Sequence, residues 1–199
     1  MSTLKVNTIQ EVDGSAFPFD YPKLDSGSGT NGGSALVFDN LDLTTYRAFD
    51  LILTYAPDSD NKNAAFRFRT GGSSGSDISS SNYAYGIDFS YPNHSSGIIS
   101  RQSENHVEIG ENIGSGTEEG IHVQARIHFA TSSDTGDLAR LTNRMAFNTN
   151  RRIYTADLRF DYGIAVYNEN DTTYPTGFTF YFIGANVGAY IYCLYGIKR

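Results

Sequence analysis

Cysteine, tryptophan, basic charge and long apolar runs are what this chain lacks. Cys193 stands alone among 199 residues, so no disulfide can join one part of the chain to another. It sits in an apolar stretch with no basic neighbour to activate it, which reads as a buried, inert thiol. Tryptophan is absent, and the aromatic content comes from 14 Tyr and 13 Phe. Fifteen Lys and Arg stand against 22 Asp and Glu, for a net charge of −7. A phosphate backbone needs a basic field, so a nucleic-acid partner is not expected. No segment approaches the ~18 apolar residues of a membrane helix, and insertion into a membrane is not expected. The first residues have neither a basic region nor the apolar run of a secretory signal. Synthesis in the cytoplasm is therefore expected, with any exterior destination reached by assembly or lysis.

Motifs of catalysis and metal binding are missing as well. His122 and His128 share a strand face but lie ~20 Å apart along it, too far for one metal. There is no His-x-His pair, and His94 and His106 lie in polar, loop-like contexts. No Gly-x-Ser-x-Gly elbow leads from a strand into a helix; Gly72 to Gly75 reads as a Ser-Gly turn. Asp58-Ser-Asp60-Asn61 and Asn168-Glu-Asn-Asp171 offer oxygens that suit Ca²⁺, without the spacing of an EF-hand loop. Solvated turn acids are the plainer reading. The expectation is a protein without a catalytic centre and without a cofactor.

What is present is period-two alternation. Phe66 and Phe68 alternate with Arg67 and Arg69. Tyr83, Tyr85, Ile87 and Phe89 make a second stripe. Ile121, Val123, Ala125, Ile127 and Phe129 alternate with His122, Gln124, Arg126 and His128. Tyr154, Ala156, Leu158, Phe160 and Tyr162 alternate with Asp157, Arg159 and Asp161, and Phe178, Phe180 and Phe182 form another set. Such strands belong to antiparallel sheets with one wet face, and here the apolar members are expected to point inward. Gly-Ser and Asn-Asp turns punctuate about nine strands, which indicates an all-β antiparallel sandwich, jelly-roll-like. Asp137 to Met145 fits a short helix or a strand. In Ala189 to Ile197 both faces are apolar, so this strand is either central or packed on a neighbouring subunit. Its expected partner is Thr176 to Ile183, through the turn Gly184-Ala-Asn-Val-Gly188.

The N-terminal residues read differently. Leu4, Val6 and Ile9 are spaced along a short polar segment, and Asp25 to Ser34 is rich in Gly and Ser. Residues 1–33 are expected to be a docking arm with a flexible spacer, and 34–199 the sandwich domain. Met1 to Gln10 resembles the opening of structural proteins in tailed phages of marine bacteria, cyanophages above all. Gly188-Ala-Tyr-Ile-Tyr-Cys-Leu-Tyr-Gly-Ile197 is similar to the closing strand of β-sandwich domains in the same proteins. The resemblance implies a virion structural protein, a tail fibre, appendage or surface decoration, located in the virion. It implies a homotrimer, and other virion proteins as partners through Leu4, Val6 and Ile9.

Two other functions stay open at this point: a carbohydrate-binding module, and a glycan-degrading enzyme. Asn82, Tyr83, Tyr85, Tyr91 and Asn93 place phenols beside amides near strand ends, which suits a host-surface glycan. The competing reading puts Tyr83 and Tyr85 in the core with their hydroxyls at its rim.

Overall fold

The computed structural model describes residues 21–92, 95–130, 143–152, 158–167 and 174–198. They form an antiparallel β-sandwich of two sheets not closed into a barrel. Numbered along the chain, the larger sheet runs β1 (Lys23–Gly29), β13 (Val187–Lys198), β3 (Tyr46–Pro57), β9 (Gly120–His128), β10 (Arg144–Arg152), β11 (Leu158–Tyr167), β6 (Tyr83–Ser90) and β7 (Ser96–Glu104). The smaller runs β2 (Leu36–Phe38), β12 (Gly177–Ile183), β4 (Lys62–Thr70) and β5 (Ser76–Asp77), and β8 (Val107–Ile113) also pairs with β4. Among the described residues the only helical turn is Gly72–Ser74, and no helix is long and apolar enough to cross a membrane.

The core is an aromatic layer supplied by both sheets. Phe66 and Phe68 of β4 and Phe178, Phe180 and Phe182 of β12 face Phe49 and Tyr55 of β3 and Tyr167 of β11, all buried. Rings meet across the layer: Tyr55 lies 4.7 Å from Phe182, and Phe68 lies 5.5 Å from Phe129 and 6.1 Å from Tyr167. Such pairs each add about 0.5–1.5 kcal/mol beyond the area they bury. A chain without tryptophan thus builds its core on alternating Phe and Tyr.

The expected hairpin between β12 and β13 does not form. These strands belong to different sheets, and Gly184 to Asn186 carries the chain across the edge of the sandwich. The passage from β3 to β4 crosses beside it. Asp58 joins the two, accepting from the backbone N–H of Asn186 at 3.2 Å and from its Nδ2 at 2.9 Å. Gly184 supplies a φ of +73° that the sharp exit requires. Asp60 accepts from the N–H and hydroxyl of Ser115, both at 2.7 Å. The turn acids read as candidate Ca²⁺ ligands at Asp58 and Asp60 are therefore loop clasps, and their pKa values are lowered chiefly by these side-chain hydrogen bonds. Asn168 to Asp171 lies outside the described residues. β13 is an interior strand, between β1 and β3.

The expected spacer is also corrected. Asp25 to Gly29 is part of β1, an edge strand of the larger sheet paired with β13. Its glycines serve close approach rather than slack. A Cβ on Gly27 would stand 2.8 Å from the ring of Tyr192, and one on Gly29 would stand 2.9 Å from that of Tyr190. The Tyr192 hydroxyl donates to Asp25 at 2.8 Å, closing the pair. Leu4, Val6 and Ile9 lie outside the described residues, as does most of the segment that fits helix or strand; its last two residues, Arg144 and Met145, open β10.

Candidate functional site

Of the glycan contacts expected at Asn82, Tyr83, Tyr85, Tyr91 and Asn93, the structure turns Tyr83 and Tyr85 inward. Tyr83 is fully buried. Its hydroxyl accepts from the N–H of Phe68 at 3.0 Å and donates to the carbonyl of Ile78 at 2.9 Å, stitching the two sheets together. Tyr85 is also in the core, its phenol pushed up to about 12 by burial and then by the charges of Glu108 and Glu104. Tyr91 is half-buried: its ring lies 5.9 Å from that of Phe89, and Arg159 sits between them and the interior. Asn82 is partly exposed on the approach to β6, and Asn93 lies outside the described residues. Among the described residues, Tyr83 and Tyr85 are thus withdrawn from the surface on which Asn82 and Tyr91 are partly exposed.

The larger departure is in β11, whose polarity is reversed. Phe160, Tyr162 and Ile164 are 45%, 52% and 49% exposed, while Arg159 and Asp161 are each only 4% exposed. The inward charges form a closed network with Arg151 of β10 and the carboxyls of β8. Arg159 Nε donates to Asp161 at 2.7 Å, and its Nη1 donates to Glu111 at 3.1 Å. Arg151 donates to the carbonyl of Glu111 at 2.6 Å and lies 3.5 Å from Asp161. The Thr149 hydroxyl donates to Asp161 at 3.1 Å. A polar cavity of about 150 Å³ opens onto this network, lined also by Tyr85, Arg101 and Glu108. Burial, and then the negative charge of Glu111, raise Glu108 to about 7. Arg151 and Arg159 balance Asp161 and Glu111, so the inward cluster is neutral when Glu108 holds its proton.

With the charges of β11 turned in, the outer face of the larger sheet gains Phe160, Tyr162 and Ile164 beside its polar groups. Strand register aligns them in two rungs. One runs Tyr195, Asp50, Arg126, Ala146; the other runs Ile52, Gln124, Asn148, Tyr162. They line a groove of about 550 Å³, with Tyr21 beside it. Asp50 and Arg126 form a bidentate ion pair in its floor, with both contacts at 2.7 Å. The Arg126 pKa is raised first by the bond to Asp50, against the cost of burial, and further by the Tyr21 phenol. A salt bridge of this exposure carries little stability, but it fixes both groups and cancels their charge.

No family model, curated protein or solved structure matches the chain.

The site therefore rests on its own chemistry. Another depression, of about 700 Å³, lies over the smaller sheet. There Arg67 is already engaged, donating to the Asn105 carbonyl at 2.8 Å and lying over the Tyr181 ring at 5.1 Å. Among the described residues no group of three His, Cys, Asp or Glu side chains is placed to hold a metal. His122 and His128 sit on the outer face of β9, and His122 Nδ1 is 2.9 Å from the Thr54 hydroxyl. The outer-face groove combines aromatic walls, the amides of Gln124 and Asn148, and a neutral ion pair, with Gln124 Nε2 also 3.4 Å from His122 Nε2. Sequence reasoning missed it because its members come from five strands. The one available signal was the two-sided apolar pattern of β13.

Proposed function

We propose that this chain is a structural, adhesive subunit of a tailed-phage virion, part of an appendage, fibre or surface decoration, and that it works without catalysis. The observation that carries this reading is the reversed polarity of β11. A sheet that turns Arg159 and Asp161 inward and leaves Phe160, Tyr162 and Ile164 outside presents a face suited to being covered. Ile98 of β7, two strands on, lies on the same face at 79% exposure, in one rung with Tyr162 and with Asp88 of β6 between them. The likeness of both ends of the chain to virion proteins supports the setting, and the threefold habit of such appendages supports a homotrimer.

The subunits associate through the β6–β7 edge of this face, around Ile98 and beyond the groove, and the arm carrying Leu4, Val6 and Ile9 docks the assembly onto other virion proteins. Sedimentation tests the first part. The intact chain is expected at three times its monomer mass, and Ile98→Asp is expected to sediment as a folded monomer. A monomeric intact chain refutes the trimer. Labelling of intact particles with an antibody to the sandwich tests the second, with deletion of Ser2 to Gln10 expected to abolish incorporation. A carbohydrate-binding module is the second reading, favoured by the aromatic and amide lining of the groove.

A further inference from the structure

We infer that the groove over β13, β3, β9, β10 and β11 is a binding site for a neutral oligosaccharide. It rests on the adhesive reading above and names the chemistry of the surface that the subunit contacts. Register places Tyr195 over β13 and Tyr162 over β11, four strand spacings apart. That is ~19 Å across the sheet, enough for a chain of several sugar rings.

The lining selects the ligand by elimination. An anion is disfavoured: the groove's cation, Arg126, is already neutralised by Asp50, in a protein of net charge −7. A purely apolar ligand is disfavoured too. It would cover Gln124, Asn148 and the ion pair without returning their hydrogen bonds with water. A peptide added as a strand needs a free sheet edge, and the groove crosses the face of five paired strands. What remains is a ligand with apolar C–H faces and hydroxyls in alternation. Tyr21, Tyr162 and Tyr195 supply apolar ring surface with a polar tip. Gln124 and Asn148 each offer a donor and an acceptor to hydroxyls, and Asp50 has acceptor capacity beyond its two bonds to Arg126. Ile52 provides an apolar step between them. The site is shallow, so a single groove binds weakly and a multivalent assembly gains by avidity.

Calorimetric titration of the full chain with hexasaccharides of the β-glucan, xylan and mannan types tests this, with a sulfated galactan fragment as the anionic probe. At least one neutral hexasaccharide is expected to bind saturably and more tightly than the sulfated fragment. Tyr162→Ala with Tyr195→Ala is expected to weaken it at least tenfold, and Gln124→Ala severalfold. Tyr181→Phe, on the smaller sheet and remote from the groove, is expected to bind as the parent does. Melting curves confirm that the variants fold. Absence of saturable binding to every neutral probe overturns the inference. So does undiminished affinity in the double tyrosine variant, or preference for the sulfated fragment over every neutral one. Incorporation into particles is read separately. A subunit that is incorporated but binds no neutral glycan sinks this inference alone, and a glycan binder absent from particles sinks the virion reading alone.

Discussion

Glu108 shows how a single residue reports on its surroundings. Its carboxyl ionises near 4.5 in the unfolded chain, while in the fold burial and the neighbouring Glu111 hold the proton up to about 7. Stability from this group is therefore fully present below the ordinary value and is lost as pH rises through about 7. His106 and His128, both lowered chiefly by burial, act in the opposite sense, because the unfolded chain binds their protons more readily. Comparison with Glu108→Gln isolates the carboxyl. The variant's melting temperature relative to the parent is expected to rise from about pH 5 to about pH 8, at roughly 2–4 °C per kcal/mol. A difference that stays flat over that range contradicts the assignment. Two tyrosines give a matched pair. The Tyr55 hydroxyl is buried without a hydrogen-bond partner, so Tyr55→Phe is expected to leave stability unchanged or raise it by about 1 kcal/mol. Tyr83→Phe strands the Phe68 N–H and the Ile78 carbonyl, and is expected to cost about 1–3 kcal/mol in denaturant unfolding.

At the scale of the element, β11 carries the lesson. Period-two alternation was legible from Leu158 to Tyr162, but not which face would be inside. Alternation defines two faces, and only the neighbouring strands decide between them. Here Arg151 and Thr149 on β10 and Glu111 on β8 complete the charges of Arg159 and Asp161, and Gly163 leaves room for the Phe147 ring. A Cβ on Gly163 would run into the Phe147 ring, so Gly163→Ala is expected to destabilise by about 1–3 kcal/mol, measured by denaturant unfolding. Phe160→Ser, on the opposite face, is expected to change monomer stability by less than about 0.5 kcal/mol. Arg151→Met leaves Asp161 with a weakened buried counter-charge, and is expected to cost about 3–5 kcal/mol. Equal effects from the substitutions on the two faces of β11 would contradict its orientation. By contrast β4, β6 and β9 follow their sequence pattern. Their apolar members, Phe66, Tyr83 and Ile127 among them, are buried.

Across the whole molecule, chain composition by itself determined the class of structure. Short apolar–polar alternations separated by Gly, Ser, Asn and Asp turns can bury their apolar members only by pairing into sheets that pack face to face. One cysteine and a negative charge set limits on cross-linking and on partners. Which strands share a sheet was decided by tertiary structure alone. A turn of the same length can close a hairpin or cross between sheets, and the Asp58–Asn186 clasp that makes β12 to β13 a crossing joins residues far apart in sequence. The Gly-Ser segment before residue 34 was read as slack because glycine frees the backbone. In the fold the same lack of a Cβ admits the rings of Tyr190 and Tyr192. The candidate site depended on tertiary structure most of all. Tyr195, Asp50, Arg126 and Tyr162 lie on four strands drawn from the whole length of the sandwich, and only sheet register brings them to one surface.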